Sequence, residues 1–202
     1  MNKELNEIKK NIFSWGMSHN LQLIIDFHNF QHHLMGNQIS LINESIASSN
    51  DANEKKNLLL QKNTYVNTYD DLLKVNTFLL MYSHLEEFLL LIKNSFDNSQ
   101  IINNSGSIIR FKSFLQNTLK FDCSKDKEWE LLCDFEKIRD CILHANSRVS
   151  INKNKNKIEI ERIVKKSKGK LSIKSDRIKL SGELLIVISN TIESVVKRIG
   201  NI

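Results

Sequence analysis

The chain contains no proline and only six glycines. A β-sandwich or a loop-rich scaffold needs more turn residues than that, so helices are expected. Cysteine is scarce too: Cys123, Cys133 and Cys141 make an odd count with no CxxC pair. This argues against a disulfide framework and for a reducing, cytoplasmic setting. Long uninterrupted apolar runs are also missing. The longest, "FLLMYSHLEEFLLLI" from Phe78, is broken by His84, Glu86 and Glu87, so no membrane span or membrane partner is expected. The opening residues "MNKELNEIKKNIF" lack the apolar centre of a signal peptide.

What is present fits one soluble domain. The 202 residues are 41% hydrophobic and 26% charged, which is enough to bury a real core. The net charge of +6 and pI of about 9.2 suit a phosphate-bearing partner, although the excess is spread along the chain.

Apolar residues recur three or four apart from about 17 to 48, at Leu21, Ile24, Ile25, Phe27, Leu34, Ile39, Ile42 and Ile46. "SSNDAN" at 48–53 then marks a break, and a second long helix is expected from about 54 to 96. Two long helices with a short polar link predict an antiparallel hairpin. "DNSQIINNSGS" at 97–107 reads as a loop, followed by a helix from Ser107 to about Lys120. Asp126 or Ser124 is positioned to cap a helix carrying Trp129, Leu131, Leu132, Phe135, Ile138 and Ile142.

Beyond Asn146, "KIEIERIVKKSKGKLSIKS" alternates apolar and polar residues around Lys168-Gly169. It predicts a β-hairpin of about 157–164 and 170–174. Ser181 is an N-cap for a closing helix. The expected fold class is therefore all-α: a bundle of four to five helices with a small β-hairpin before the last. It forms a single domain over 1–202, with an N-terminal helix to about 50, a bundle over 54–146, and hairpin plus closing helix over 157–202.

The chemistry-bearing stretch is "FEKIRDCILHANSRVS" at Phe135–Ser150. On a helical wheel Arg139 shares an arc with Leu132 and Leu143, where an arginine needs a partner or an anion. Asp140 and His144 are four apart, close enough for the carboxylate to orient the imidazole. Arg139 and His144 are about 140° apart on an ideal helix, so a second subunit or a distorted last turn would help bring them together. Histidine moves protons near neutrality, and arginine fits phosphate oxygens and developing charge. Together they suffice for metal-independent RNA cleavage by internal 2′-hydroxyl attack. The alternative pairs Arg139 with Glu136 and leaves His144 as a polar helix end favoured by the dipole.

"IRDCILHANSRV" resembles the R-[NDH]-x-x-x-H signature of HEPN domains, including the H-x-N that follows. The preceding long helix resembles the family's second long helix, which often carries a Y-x-x-x-E-style segment. The resemblance implies a helical-bundle endoribonuclease of toxin–antitoxin or phage-defence type. RNA would be its substrate, its active site would lie at a homodimer interface, and an antitoxin or defence-system protein would be its partner. No cofactor or metal is implied. Carried over, Arg139 and His144 are the catalytic pair, Asp140 the polar residue after the arginine, and Asn146 an accessory residue. Glu86 is a further accessory candidate if it faces the same cleft as His144; the alternative for Glu86 and Glu87 is a solvated face. Ser147 stands where a glycine commonly follows H-x-N. Family members also include inactive modules that bind or dimerise, and that is the alternative function. A binder of double-stranded nucleic acid without chemistry is a third.

Two weaker patterns complete the survey. His28 and His32 have the i,i+4 spacing of zinc ligands, but no nearby carboxylate or cysteine completes a site. The basic run "NKNKNKIEIERIVKKSKGK" can guide an RNA backbone through salt-sensitive phosphate contacts. It lacks the interleaved aromatics of a stacking platform.

Overall fold

The computed structural model describes residues 2–96 and 108–200. The expected loop at 97–107 lies outside them. α1 runs Asn2–Ser48 and ends in the anticipated serine-rich break. There the Ser45 and Ser48 hydroxyls donate back to the carbonyls of Leu41 and Glu44, which competes with further helix growth. Asp51 restarts the chain by accepting the Asn53 N–H at 2.8 Å.

α2 (Ala52–Asn63) passes through a π-helical segment, Thr64–Tyr69, into α3 (Asp70–Phe96). The expected second helix is thus one helical path with a wide turn in it. Wider winding turns the residues before and after it onto different faces. Leu72 is half-exposed, and full burial begins at Thr77 and Phe78. From there Met81, Tyr82, Leu85, Phe88, Leu89 and Ile92 follow helical spacing into the core. By length and composition, Ala52–Ser95 is apolar enough to cross a membrane. Within the fold, these core residues account for much of that apolar character. α1 and α3 run antiparallel, as His28 meets Thr77 and His32 faces Asp70.

A 3₁₀ turn, Ile108–Phe111, leads into the short α4 (Lys112–Asn117). Chain growth stops before the anticipated end because Lys120 takes a positive φ of 57°. α5 (Lys127–Ala145) is capped by Asp126, not Ser124. α6 (Asn154–Lys166) occupies the place expected for the first strand. The reason lies in its spacing: Ile160 and Ile163 are buried three residues apart, whereas Ile158, which made the alternation look strand-like, is 66% exposed. Helical winding also lets Glu159, Arg162 and Lys166 pair with Lys137, Asp134 and Glu130 on α5.

Lys168 and Gly169, with φ of 52° and 88°, therefore terminate a helix instead of turning a hairpin. The hairpin itself is β1 (Leu171–Lys174) and β2 (Arg177–Leu180), antiparallel with Leu171 opposite Leu180 and Ile173 opposite Ile178. Its two-residue turn is Ser175-Asp176, both at positive φ, as hairpin twist requires. α7 (Gly182–Gly200) closes the fold, with the Leu184 N–H donating to Ser181 Oγ at 3.2 Å. An all-α bundle with a small hairpin before its last helix is what the chain forms. Its core sits among α3, α5 and α7.

Candidate functional site

α5 buries Phe135, Ile138, Cys141, Ile142 and Ala145 as a continuous stripe. The candidate residues Arg139, Asp140 and His144 occupy the remaining faces of the same two turns. Arg139 points toward α3. Its guanidinium donates to Glu86 Oε2 at 3.1 Å and to Asp140 Oδ1 at 3.0 Å. The Arg139 and Glu86 side chains are only 16% and 15% exposed.

Glu86 thus leaves the solvated face considered for it, while its neighbour Glu87 is 66% exposed and sits 3.6 Å from His84. Burial raises the Glu86 carboxyl above its usual range; Arg139 and Arg110 oppose the rise and Asp140 adds to it. Its Oε1 is buried without a hydrogen-bond partner among the described residues. The ion pair therefore does not fully compensate the cost of burying the carboxylate. An acid whose folded pKa is raised contributes stability that is complete below its unfolded pKa and is lost as pH rises through the folded value. Glu86→Gln removes that loss. Urea midpoints measured at pH 4 and pH 8 should show the variant gaining on wild type as pH rises.

Asp140 is committed to Arg139, and no contact between it and His144 is present among the described residues. The expected orienting bond to the histidine is replaced by one to the neighbouring guanidinium. Both Asp140 and His144 do line one cleft between α5 and α6, of about 590 Å³. Lys137, Asn152, Asn156 and Glu159 add polar groups, and Ile160 lies on its floor. Glu159 and Ile160 were missed because their segment read as a strand. The signal available was the three- and four-residue spacing of Asn156, Glu159 and Ile160. Arg139 and His144 remain on different sides of α5: one meets α3, the other opens toward α6.

Asn146 has a backbone role. It takes the left-handed conformation that ends α5 (φ 49°, ψ 46°), and its N–H bonds the Cys141 carbonyl. Its own carbonyl accepts Arg177 Nη1 at 2.9 Å. Ser147, where a glycine was expected, also adopts a left-handed φ of 63° and donates to the Cys141 carbonyl at 3.1 Å. The glycine-like geometry is kept without the glycine. A side chain there costs roughly 1–2 kcal/mol, part of which glycine would return through its greater unfolded-state freedom. Ser147→Gly should therefore stabilise the fold by about 0.5–1 kcal/mol, raising the melting temperature by about 2 °C in a thermal scan.

The segment after the motif is stitched to the hairpin turn. The Val149 N–H donates to the Asp176 carbonyl, the Ile178 N–H to the Ser147 carbonyl, and the Ser150 N–H to Asp176 Oδ1, each at 2.9 Å. The motif's exit is thereby fixed by β1 and β2.

The cysteines do not form a nucleophilic site. Burial pushes Cys123 up to about 12 and Cys133 up to about 11, and raises Cys141 as well. Cys141 is 1% exposed. Such thiols stay protonated near neutrality and react slowly. His28 and His32 stack with ring centroids 6.2 Å apart. Among the described residues no group of three histidines, cysteines or carboxylates is arranged to hold a metal ion. Compared with known proteins, the chain matches no family model, no curated protein and no solved structure.

Proposed function

We propose that the protein is a metal-independent endoribonuclease of HEPN type, working as a cytoplasmic homodimer in toxin–antitoxin or phage-defence biology. The observation that carries this reading is the setting of the motif. Arg139 and His144 sit on the last two turns of a core helix, and a left-handed exit at Asn146-Ser147 holds the histidine at an exposed end beside a polar cleft. Lysines 153 and 157 flank that cleft in sequence and are exposed, which suits a phosphate backbone. The divergence of Arg139 and His144 on one helix supports a site completed by a second copy. Leu90 and Leu143, one turn beyond Glu86 and Arg139, are 38% and 49% exposed and offer an apolar seam.

In this mechanism His144 takes the proton of an RNA 2′-hydroxyl as that oxygen attacks the adjacent phosphorus. The P–O5′ bond breaks, and the leaving 5′-oxygen gains a proton from the protonated histidine of the other copy. Arg139 neutralises charge on the phosphate. The products carry a 2′,3′-cyclic phosphate and a 5′-hydroxyl.

The test is incubation of RNA with purified protein in excess EDTA, followed by analysis of the fragment ends. Cyclic phosphate ends are the expected result, and cleavage that disappears on chelation would overturn the mechanism. One observation favours a second reading, an inactive module that binds or dimerises. The guanidinium of Arg139 is already held by two carboxylates, Glu86 and Asp140, so a phosphate must compete for it. Under that reading, intact RNA accompanies a well-folded protein in the same assay.

A further inference from the structure

On the other side of the bundle, α1, α3 and α7 enclose a cavity of about 390 Å³. Met81 and Leu185 form buried apolar walls at 1% and 5% exposure, while Ile186, 62% exposed, stands at its mouth. The size falls within the range of small-molecule sites, which combine apolar walls with a few placed polar groups.

The polar group that matters is His28, and its hydrogen bonding fixes its tautomer. Thr77, 3% exposed, donates its only hydroxyl proton to the Leu73 carbonyl at 2.8 Å. The same Oγ1 lies 2.8 Å from His28 Nδ1. Both bonds form together only if His28 Nδ1 carries the proton and donates it to Thr77. The lone pair is then on Nε2, which no group bonds among the described residues.

The charges around the ring balance. Lys74 pairs with Asp70, and His32 lies 3.8 Å from the same carboxylate. Burial lowers the His28 pKa; His32 and Lys74 lower it further, against Asp70. These effects favour the neutral ring, so Nε2 stands as an acceptor in a mostly apolar wall that Asn29, Ser189 and Asn190 also line. A carboxylate ligand would find a lone pair facing it, and an ammonium ligand would lose its hydration without a free anion in exchange.

We propose that this cavity binds a neutral, largely apolar small molecule through one hydroxyl or N–H group that donates to His28 Nε2. The inference is independent of the ribonuclease reading.

The experiment titrates the full chain at pH 7 with 2-naphthol and with 2-methoxynaphthalene, which has the same ring but carries its oxygen as a methyl ether and so has no donor. 2-Naphthol should bind at least about ten-fold more tightly, a difference worth about 1.4 kcal/mol. His28→Phe should reduce the preference to near unity while circular dichroism shows an unchanged helix content. Ile186→Trp, a change at an exposed position, should weaken binding of both compounds. Equal affinities for the two probes, or no 2-naphthol binding at its solubility limit, would overturn the proposal. Should His28→Phe fail to fold, ¹⁵N shifts of the wild-type ring decide: a proton on Nε2 would likewise sink it.

Discussion

His144→Ala is expected to remove RNA cleavage by a factor of about 10²–10⁴ while leaving the fold and its self-association intact. Fold and chemistry separate cleanly at this position. His144 is exposed at the end of α5, and no hydrogen bond or ion pair of its side chain is present among the described residues. Its removal should therefore change stability by no more than about 0.5 kcal/mol. The loss must then come from the missing proton carrier. Arg139→Ala is a poorer first test, because it strands the half-buried Glu86 carboxylate and confuses a structural defect with a catalytic one. The measurement pairs initial cleavage rates in EDTA with size-exclusion elution and a melting curve. Full cleavage by the folded variant would show that His144 carries no chemistry. Lost cleavage together with lost association would assign it to the seam instead.

Long elements were legible in the sequence because their apolar spacing is set by burial against other helices. α5 and α7 fall where they were expected, α1 contains the expected 17–48 stretch and extends back to Asn2, and α3 is the second part of the helix expected over 54–96; the Asp126 and Ser181 caps were readable from residue type. Two features were not readable, for different physical reasons. α6 is short and mostly charged, so its stability comes from pairing with α5 through Lys137, Asp134 and Glu130, and such partners are tertiary information. The π segment at Thr64–Tyr69 has no distinctive composition, yet it resets which residues of the following helix face inward.

The site divides in the same way. The wheel angle between Arg139 and His144 was readable and agrees with the diverging directions of the two side chains. The partner of Arg139 was not, since Glu86 lies 53 positions away in sequence. Asp140 had two neighbours within reach, and helical spacing alone cannot choose between His144 and the guanidinium beside it. The guanidinium holds it because that bond is charge-assisted whatever the protonation of the histidine.

Asp126→Ala should be among the most destabilising single changes to a polar residue, at roughly 2–4 kcal/mol. Asp126 Oδ1 accepts the Trp129 N–H at 2.7 Å, closing the first turn of α5. A lost cap of this kind typically costs about 1 kcal/mol, and up to about 2. The same carboxylate, 14% exposed, also holds Arg198 of α7 at 2.8 Å. Arg198 reaches Glu128 at 2.6 Å and lies over the Phe121 ring, so one carboxylate fixes the start of the motif helix to the end of the closing helix. Removing it leaves a partly buried guanidinium with one carboxylate in place of two, which adds about 1–2 kcal/mol. Asp126→Asn keeps an acceptor for the Trp129 N–H and loses the charge, so it should cost only the second part. Urea unfolding of the two variants and of Arg198→Ala resolves the terms, and near-equal losses for Asp126→Asn and Asp126→Ala would show that the cap contributes little. The motif lies at the far end of α5, about 25 Å away at 1.5 Å per residue. Below their melting temperatures, both variants should therefore cleave RNA at the wild-type rate if the ribonuclease reading holds, which makes them the stability controls for the His144 experiment.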